Sequence, residues 1–185
     1  LSLRNVELSL YEGKKVLFQE MGEMLFTHFG VSGPLVLSAS AHIRDMQKYE
    51  YSLSIDLKPG LNMEQLERRV DSDFSLLAGK TAKSCLDKLL PSSMRPVVLE
   101  RWGVPPEKKV NQINRAERRA LCELIKGFSI PLKEKGDLQH AVITSGGVQV
   151  REVDPKTMQS KLCPGLVFAG EVLMWTHTRV DTILE

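Results

Sequence analysis

The sequence predicts an α+β protein in which β-rich segments flank a helical one. Apolar residues alternate with polar ones before residue 60 and again after residue 127, which is the period of β-strands. Between these segments the apolar residues recur at steps of three and four, which is the period of amphipathic helices. Hydrophobic residues make up 42% of the chain and charged residues 26%, so a buried core of ordinary size can form.

The β-rich segments contain three clear strand signals. Alternation over 6–18 around a turn at Glu12-Gly13 predicts a hairpin, and alternation over 51–57 predicts a strand that ends at Lys58-Pro-Gly60. A further strand is predicted over 128–132, where Phe128, Ile130 and Leu132 share one face. The cluster of glycine and proline over 30–34 must form a loop.

The helical segment contains four amphipathic stretches separated by helix breakers. The first follows the capping residue Asn62, and the fourth begins at Asn114 with Glu117 at capping-box spacing. Glycine or proline ends three of them. The four predicted helices cover about 63–77, 82–89, 94–102 and 115–126.

Near the C-terminus, two segments combine short apolar strands with glycines. We predict a long strand over 142–150, interrupted at Gly146-Gly147, and a closing strand over 166–169 that leads into Gly170-Glu171. In open α/β sheets ligands bind beyond the carboxyl ends of strands. A glycine there lets the backbone approach a cofactor, and a carboxylate can accept hydrogen bonds from sugar hydroxyls. A bulge or a hairpin turn is the alternative interpretation of the paired glycines.

Charge and cysteine usage exclude several classes of protein. A net charge of +2 gives no reason to expect nucleic acid or a membrane surface as a partner, and no apolar run reaches the roughly 20 residues of a membrane span. The cysteines are odd in number and lack Cys-x-x-Cys spacing, so we expect neither disulfides nor a metal site. Reduced thiols in a cytoplasmic protein fit best.

Three segments, 22–34, 143–148 and 164–173, resemble successive signatures of one bacterial family. It is the NAD(P)/FAD-dependent oxidoreductase family called BaiN-like or aminoacetone-oxidase-like. The resemblance implies an FAD-binding fold that is interrupted by a barrel-like insert domain. Residues 1–138 would form this insert, β-rich over 1–60 and 128–138 and helical over 61–127, and residues 139–185 would return to the FAD-binding, Rossmann-like domain.

The resemblance also implies a set of site residues. The flavin would be contacted by Ser145, Gly146, Gly147, Val148, Gly170 and Glu171. The substrate pocket, for a small molecule, would be formed by Thr27, His28, Phe29, Gly30, Ser32 and Gly33. His28 is a weak candidate for a proton donor beside the flavin, because a histidine near aromatic residues is more often packed than catalytic. FAD is the implied cofactor of the full-length parent, and NAD(P) is a second candidate.

The chain also departs from the family pattern. It contains no Gly-x-Gly-x-x-Gly turn, so we interpret it as a fragment of a longer protein and expect no FAD on the chain alone. C-terminal strands without their sheet partners would favour self-association. After Leu173 the family continues Asp-Val-Asp and then Thr-Gly-Gly-Tyr-Asn, and a reading frame shifted by one base restores this motif. We therefore interpret 174–185 as out of frame and without function.

A rival hypothesis is a non-enzymatic interaction or RNA-binding module that uses the basic helix 115–126. Arg115, Arg118 and Arg119 cluster on this helix and could contact phosphates. A solvated helix face that also carries Glu117 and Glu123 is the simpler interpretation. The low net charge and the lack of stacking aromatic residues around the arginines count against RNA.

Overall fold

The computed structural model describes residues 1–136, 147–170 and 172–173. Its centre is a curled antiparallel sheet, a half-barrel in which five strands follow the spatial order β3-β2-β1-β4-β5. A helix, α1, packs against β2 and covers the sheet. The predicted α+β class is confirmed. The bounds are Ser2–Glu12 for β1, Lys15–Phe26 for β2, Val31–Ser32 for β3, Pro34–Ser40 for α1, Tyr51–Asp56 for β4 and Phe128–Leu132 for β5.

The long hairpin β1–β2 places apolar side chains on the inner face of the sheet. Leu8 and Leu10 of β1 and their β4 partners Ile55 and Leu53 have no exposed surface. The β1–β2 register shifts twice, between Leu3 and Val6 and again between Leu10 and Tyr11. Such irregularities bend and twist a strand pair, which explains why this sheet curls.

The helical segment lies between β4 and β5 and contains α2, α3, α4 and α5. Asn62 and Asn114 form capping boxes with Gln65 and Glu117, as their spacing predicts. The second helix is shorter than predicted, because after Cys85 the chain continues in turns that mix i to i+3 bonds with one i to i+4 bond, from Leu90 to Leu86. The bounds are Met63–Leu76 for α2, Ala82–Cys85 for α3, Arg95–Trp102 for α4 and Arg115–Lys126 for α5.

One lysine joins the helical segment to the sheet. The Lys126 ammonium forms an ion pair with Asp56 at the end of β4 and donates hydrogen bonds to the carbonyls of Leu61 (2.7 Å) and Lys58 (3.3 Å). Beside it, the backbone N–H of Leu57 donates to the carbonyl of Ile125 at 2.9 Å. The two points where the chain leaves and re-enters the sheet are therefore fastened together.

Glu117 holds the start of α5 with several bonds at once. Its carboxylate accepts hydrogen bonds from Lys108 Nζ (2.6 and 2.9 Å) and from the backbone N–H of Asn114 (2.8 Å), and its carbonyl accepts from Trp102 Nε1 (2.7 Å). The hydrogen bond from the Lys108 ammonium, aided by that from Asn114, lowers the pKa of the Glu117 carboxyl. The ionised carboxylate is therefore favoured by folding.

This lowered pKa predicts a loss of stability in acid. Because the pKa is lower in the folded chain, the contribution of Glu117 is complete above the unfolded value of about 4.3 and is lost as pH falls through the folded value. Urea unfolding followed by circular dichroism at stepped pH measures this. Glu117→Gln keeps a side chain that can complete the capping box, so we expect it to flatten this part of the profile. An unchanged profile would contradict the assignment.

The described residues beyond 146 form turns and single bridges rather than strands. The strand predicted over 142–150 is wrong at its C-terminal end, because Val148 makes one bridge and Val150–Glu152 is a 3₁₀ turn. The closing strand over 166–169 is also wrong, because it is reduced to one bridge between Val167 and Gln159. Strands need neighbouring strands to pair with, and the described residues here supply only isolated bridges.

Two further properties concern the described residues as a whole. None of their helices combines the length and apolar character needed to cross a membrane. Within the same ranges, no group of three or more histidine, cysteine or acidic side chains could hold a metal ion.

Burial raises the pKa of the Cys85 thiol to about 12 and that of Cys122 to about 11, so both stay protonated at neutral pH.

Candidate functional site

Four of the predicted substrate-pocket residues form a tight turn, Thr27–Gly30, between β2 and β3, and Ser32 and Gly33 follow it in β3 and at the start of α1. The backbone N–H and the hydroxyl of Thr27 both donate to the carbonyl of Gly30, at 2.8 and 3.0 Å. The same hydroxyl accepts a weaker bond from the N–H of Phe29, at 3.4 Å. The turn therefore keeps its shape through its own hydrogen bonds.

His28 and Phe29 project from this turn into solvent. Both are exposed, and their rings meet edge to face with centroids 4.5 Å apart. An exposed imidazole beside an exposed ring is available to a molecule that approaches the turn. Ser32 is half-buried in the short strand β3.

Gly33 fixes the turn against the backbone of β2. It adopts φ +99° and ψ 171°, a region used almost only by glycine, and a Cβ there would lie 3.0 Å from Met24 Cα and 3.1 Å from the nitrogen of Leu25. Gly22 makes room for Leu35 of α1, since its Cβ would lie 3.1 Å from that side chain. Gly33 is thus a buried packing position at the base of the predicted pocket.

The role of Gly22 is not evident from the alternation of β2 alone. A glycine inside an alternating strand often marks a close approach by another part of the chain, and Gly22 is such a glycine. A basic cluster at the far end of the barrel cannot be recognised in the sequence, because its members come from separate parts of the chain.

The structure brings together two of the predicted flavin-contacting segments. Val148 and Leu173 form a parallel bridge, in which the N–H of Val148 donates to the carbonyl of Val172 at 2.9 Å. Gly147 and Gly170, next to this bridge, have φ values of +133° and +81°. Ser145, Gly146, Glu171 and the tail 174–185 lie outside the described residues.

These residues fit the edge of a flavin site. A Cβ at Gly170 would meet no atom within 4 Å, so open space lies beside a backbone that another molecule can approach. The phosphates of a dinucleotide need a glycine turn at a helix N-terminus, and the 185 residues contain no Gly-x-Gly-x-x-Gly sequence. The segments would therefore contribute one edge of a flavin site.

The arginines of α5 are largely neutralised by neighbouring acids. Arg118 pairs with Asp71 at 2.9 Å and Arg119 with Glu123 at 3.1 Å, beside a cavity of about 270 Å³ that Glu67 also lines. Burial and then these three carboxylates raise the pKa of Cys122, which lines the same cavity. The buried Arg118 Nε finds no hydrogen-bond partner among the residues that the structure describes. The negative field at Cys122 disfavours an anion there, so the RNA-binding module on this helix is not favoured.

The architecture, a half-barrel with an inserted helical segment, matches a known family. The family model described as "HI0933-like protein barrel and H2TH domain" matches residues 1–143, and the chain belongs to this family. The resemblance to BaiN-like flavoproteins is thereby confirmed.

Curated relatives agree with this family and differ in their activities. The chain is 25% identical over 163 residues to a 3-dehydro-bile acid delta(4,6)-reductase of Clostridium scindens, which covers 87% of this chain and 40% of that protein. It is 29% identical to the ribosomal RNA dihydrouridine synthases of Haemophilus influenzae and Escherichia coli, over 151 and 150 residues. Those matches cover 82% and 81% of this chain and 36% of each relative, so the chain spans about two fifths of its relatives' length or less.

Proposed function

We propose that this chain is the insert domain and part of the FAD-binding domain of an FAD-dependent oxidoreductase. The turn 27–33 would cover the flavin and form one wall of the substrate pocket. Family membership and a relative named as a reductase support the oxidoreductase class. The domain bounds and the site residues remain predictions.

The observation that carries this proposal is the parallel bridge between Val148 and Leu173. It joins two segments that lie far apart in the sequence and that the family resemblance independently links to the flavin. Gly147 and Gly170 flank the bridge with backbone conformations that favour glycine. Such an edge can approach a planar cofactor more closely than one that carries side chains.

The chain's own residues would have distinct tasks. FAD, when bound, supplies the redox chemistry, while the protein orients the reactants. Gly147 and Gly170 would admit the cofactor, and the Glu171 carboxylate would accept hydrogen bonds from sugar hydroxyls. The exposed His28 imidazole would give a proton to the substrate or take one from it, because its ring nitrogens can both donate and accept a proton.

The C-terminal segment carries exposed apolar side chains, which favours contact with another protein surface. Five large ones lie within its described residues, and the most exposed is Leu162, with 73% of its surface accessible. We propose that the rest of the FAD-binding domain covers them in the longer protein, and that self-association does so in the chain alone. The five are Val150, Leu162, Leu166, Val167 and Val172.

Flavin absorbance tests the proposal. We expect the purified 185-residue chain to be colourless, because it has no glycine turn to hold pyrophosphate, and a longer protein that includes this turn to carry FAD. In the longer protein, His28→Gln should lower kcat at least tenfold and leave the bound flavin unchanged, since general acid catalysis contributes about 100-fold or more. Stoichiometric FAD on the short chain would refute the fragment proposal.

RNA is a second candidate for the substrate. The net charge of +2 on its own predicts no nucleic-acid partner. Two relatives named as ribosomal RNA dihydrouridine synthases favour the opposite, and their identity to this chain is 29%, against 25% for the bile-acid reductase over a slightly longer alignment. We therefore propose two candidate substrates for the flavin-dependent reaction, a small molecule and an RNA base.

A further inference from the structure

A basic hollow lies at the end of the barrel away from the turn 27–33. The turn follows Phe26 at the end of β2, whereas the hollow surrounds Lys15 at its beginning. At about 3.3 Å per residue, a strand of this length separates the two ends by about 35 Å. The hollow is therefore distinct from the proposed flavin pocket. We define the barrel-end site as Lys15, His42, Arg44 and Tyr49, which line this hollow.

Positive charge dominates the barrel-end site. Lys15, His42 and Arg44 are all exposed. In the ranges that the structure describes, neither Lys15 nor Arg44 takes part in an ion pair, unlike Arg118 and Arg119 of α5. The carboxylate that lines the hollow belongs to Glu12, and it accepts a hydrogen bond from the Tyr51 hydroxyl at 3.1 Å. Glu12 therefore brings one negative charge to the hollow against the two positive charges of Lys15 and Arg44, and the net charge of its lining stays positive.

Tyr49 forms a wall between two hollows. It lines the basic hollow, of about 290 Å³, and a neighbouring one of about 430 Å³ that also has apolar lining from Met46, Pro131 and Leu132. The Tyr49 side chain is partly exposed, and Lys48 Nζ lies 5.4 Å from its ring centroid. Exposed aromatic rings beside cations are what single-stranded nucleic acids use for base stacking and phosphate contact.

Hydrogen bonds with Tyr51 and Lys135 hold the loop that carries Arg44. Tyr51 is buried, and its hydroxyl accepts a hydrogen bond from the backbone N–H of Arg44 at 3.4 Å. Lys135 Nζ donates to the carbonyl of Ile43 at 2.9 Å. The backbone that carries Arg44 is therefore anchored on both sides.

We propose that the barrel-end site binds a segment of single-stranded RNA, with a base stacked on Tyr49 and phosphates held by Lys15 and Arg44. The inference rests on the second candidate function and extends it, because it names a contact far from the flavin. A small substrate held at the turn 27–33 cannot reach a site about 35 Å away, whereas an RNA strand spans that distance. The site thus favours a macromolecular substrate.

Fluorescence anisotropy with a labelled single-stranded oligoribonucleotide at low salt tests the proposal on the 185-residue chain. We expect Tyr49→Ala to weaken binding about tenfold or more, because stacking on an aromatic ring supports each base substantially. Tyr49→Phe should keep the affinity within about twofold, since the ring remains. Arg44→Ala should reduce the slope of log affinity against log salt by about 0.7.

Arg115→Ala on α5 is the matched control, because it removes an exposed arginine from another cavity. It should leave binding unchanged, and circular dichroism should show all variants folded. Loss of binding in the control but not in Tyr49→Ala would overturn the proposal, as would the absence of any RNA binding. The proposal would also be overturned if the chain bound polyglutamate as tightly as RNA and if Tyr49→Ala left that binding unchanged. This result would indicate a surface that binds anions in general. Flavin content of the longer protein should not change in these variants, which separates this test from that of the flavin site.

Discussion

Gly33→Ala should destabilise the protein by roughly 3 kcal/mol, because alanine would adopt a glycine-only backbone conformation and also press against β2. The ψ of 171° with φ +99° disfavours any side chain, and the nearest atoms to the new Cβ, at 3.0 and 3.1 Å, belong to the backbone and cannot turn aside. Urea unfolding monitored by circular dichroism gives the difference in free energy.

Gly13→Ala is the matched control for this substitution. Gly13 also has a positive φ, +56°, but a Cβ there would meet nothing within 4 Å. Only the cost of the left-handed backbone remains, about 1 kcal/mol. If Gly33→Ala cost no more than Gly13→Ala, the close contact between the turn and β2 would be refuted. In the longer protein, Gly33→Ala should also lower activity by displacing the turn.

Lys126→Met should destabilise the protein by roughly 2–4 kcal/mol, because it leaves a mostly buried carboxylate without its cation. Asp56 has 13% of its side chain exposed, and the carbonyls of Leu61 and Lys58 would lose their shared donor as well. Methionine keeps most of the stem, so the loss measures the polar contacts rather than packing.

Two further variants make this measurement interpretable. Arg68→Met breaks the exposed pair with Glu64 on α2, whose side chains are 76% and 71% accessible, and should change stability by about 0.5 kcal/mol or less. Adding Asp56→Asn to Lys126→Met should recover part of the loss, because an amide does not need the cation. No recovery would mean that Lys126 acts through the two carbonyls and not through Asp56.

The local structure of the helical segment could be predicted because short-range signals determine it. Asn62 and Asn114 form the capping boxes that their spacing predicts, and Gly103 ends α4 in the left-handed conformation. The hairpin β1–β2 likewise follows from alternation around Gly13. These features depend on residues within four positions of each other.

The parts that the sequence did not predict depend on distant partners. Alternation and β-branched residues favour a strand over 166–169 and over the described C-terminal end, 147–150, of the strand predicted over 142–150, but a strand forms only where another strand supplies its hydrogen bonds. The same distinction between local and distant contacts applies to the residues of the predicted site. The compact turn Thr27–Gly30 is local, and the approach of Gly33 to Met24 follows from the pairing of β2 with β3. The barrel-end site instead brings together residues from separate parts of the chain.

The register of β4 and β5 has an implication for how this architecture can vary. Ile55 and Phe128 are direct partners, so the two strands would form an ordinary hairpin if a short turn replaced everything between them. The helices are therefore a module set into the bend of a hairpin, with both ends at one place. In a protein of this design the module can become longer, become shorter or be exchanged without any change in the strand order of the sheet, provided the inner face of the sheet stays covered.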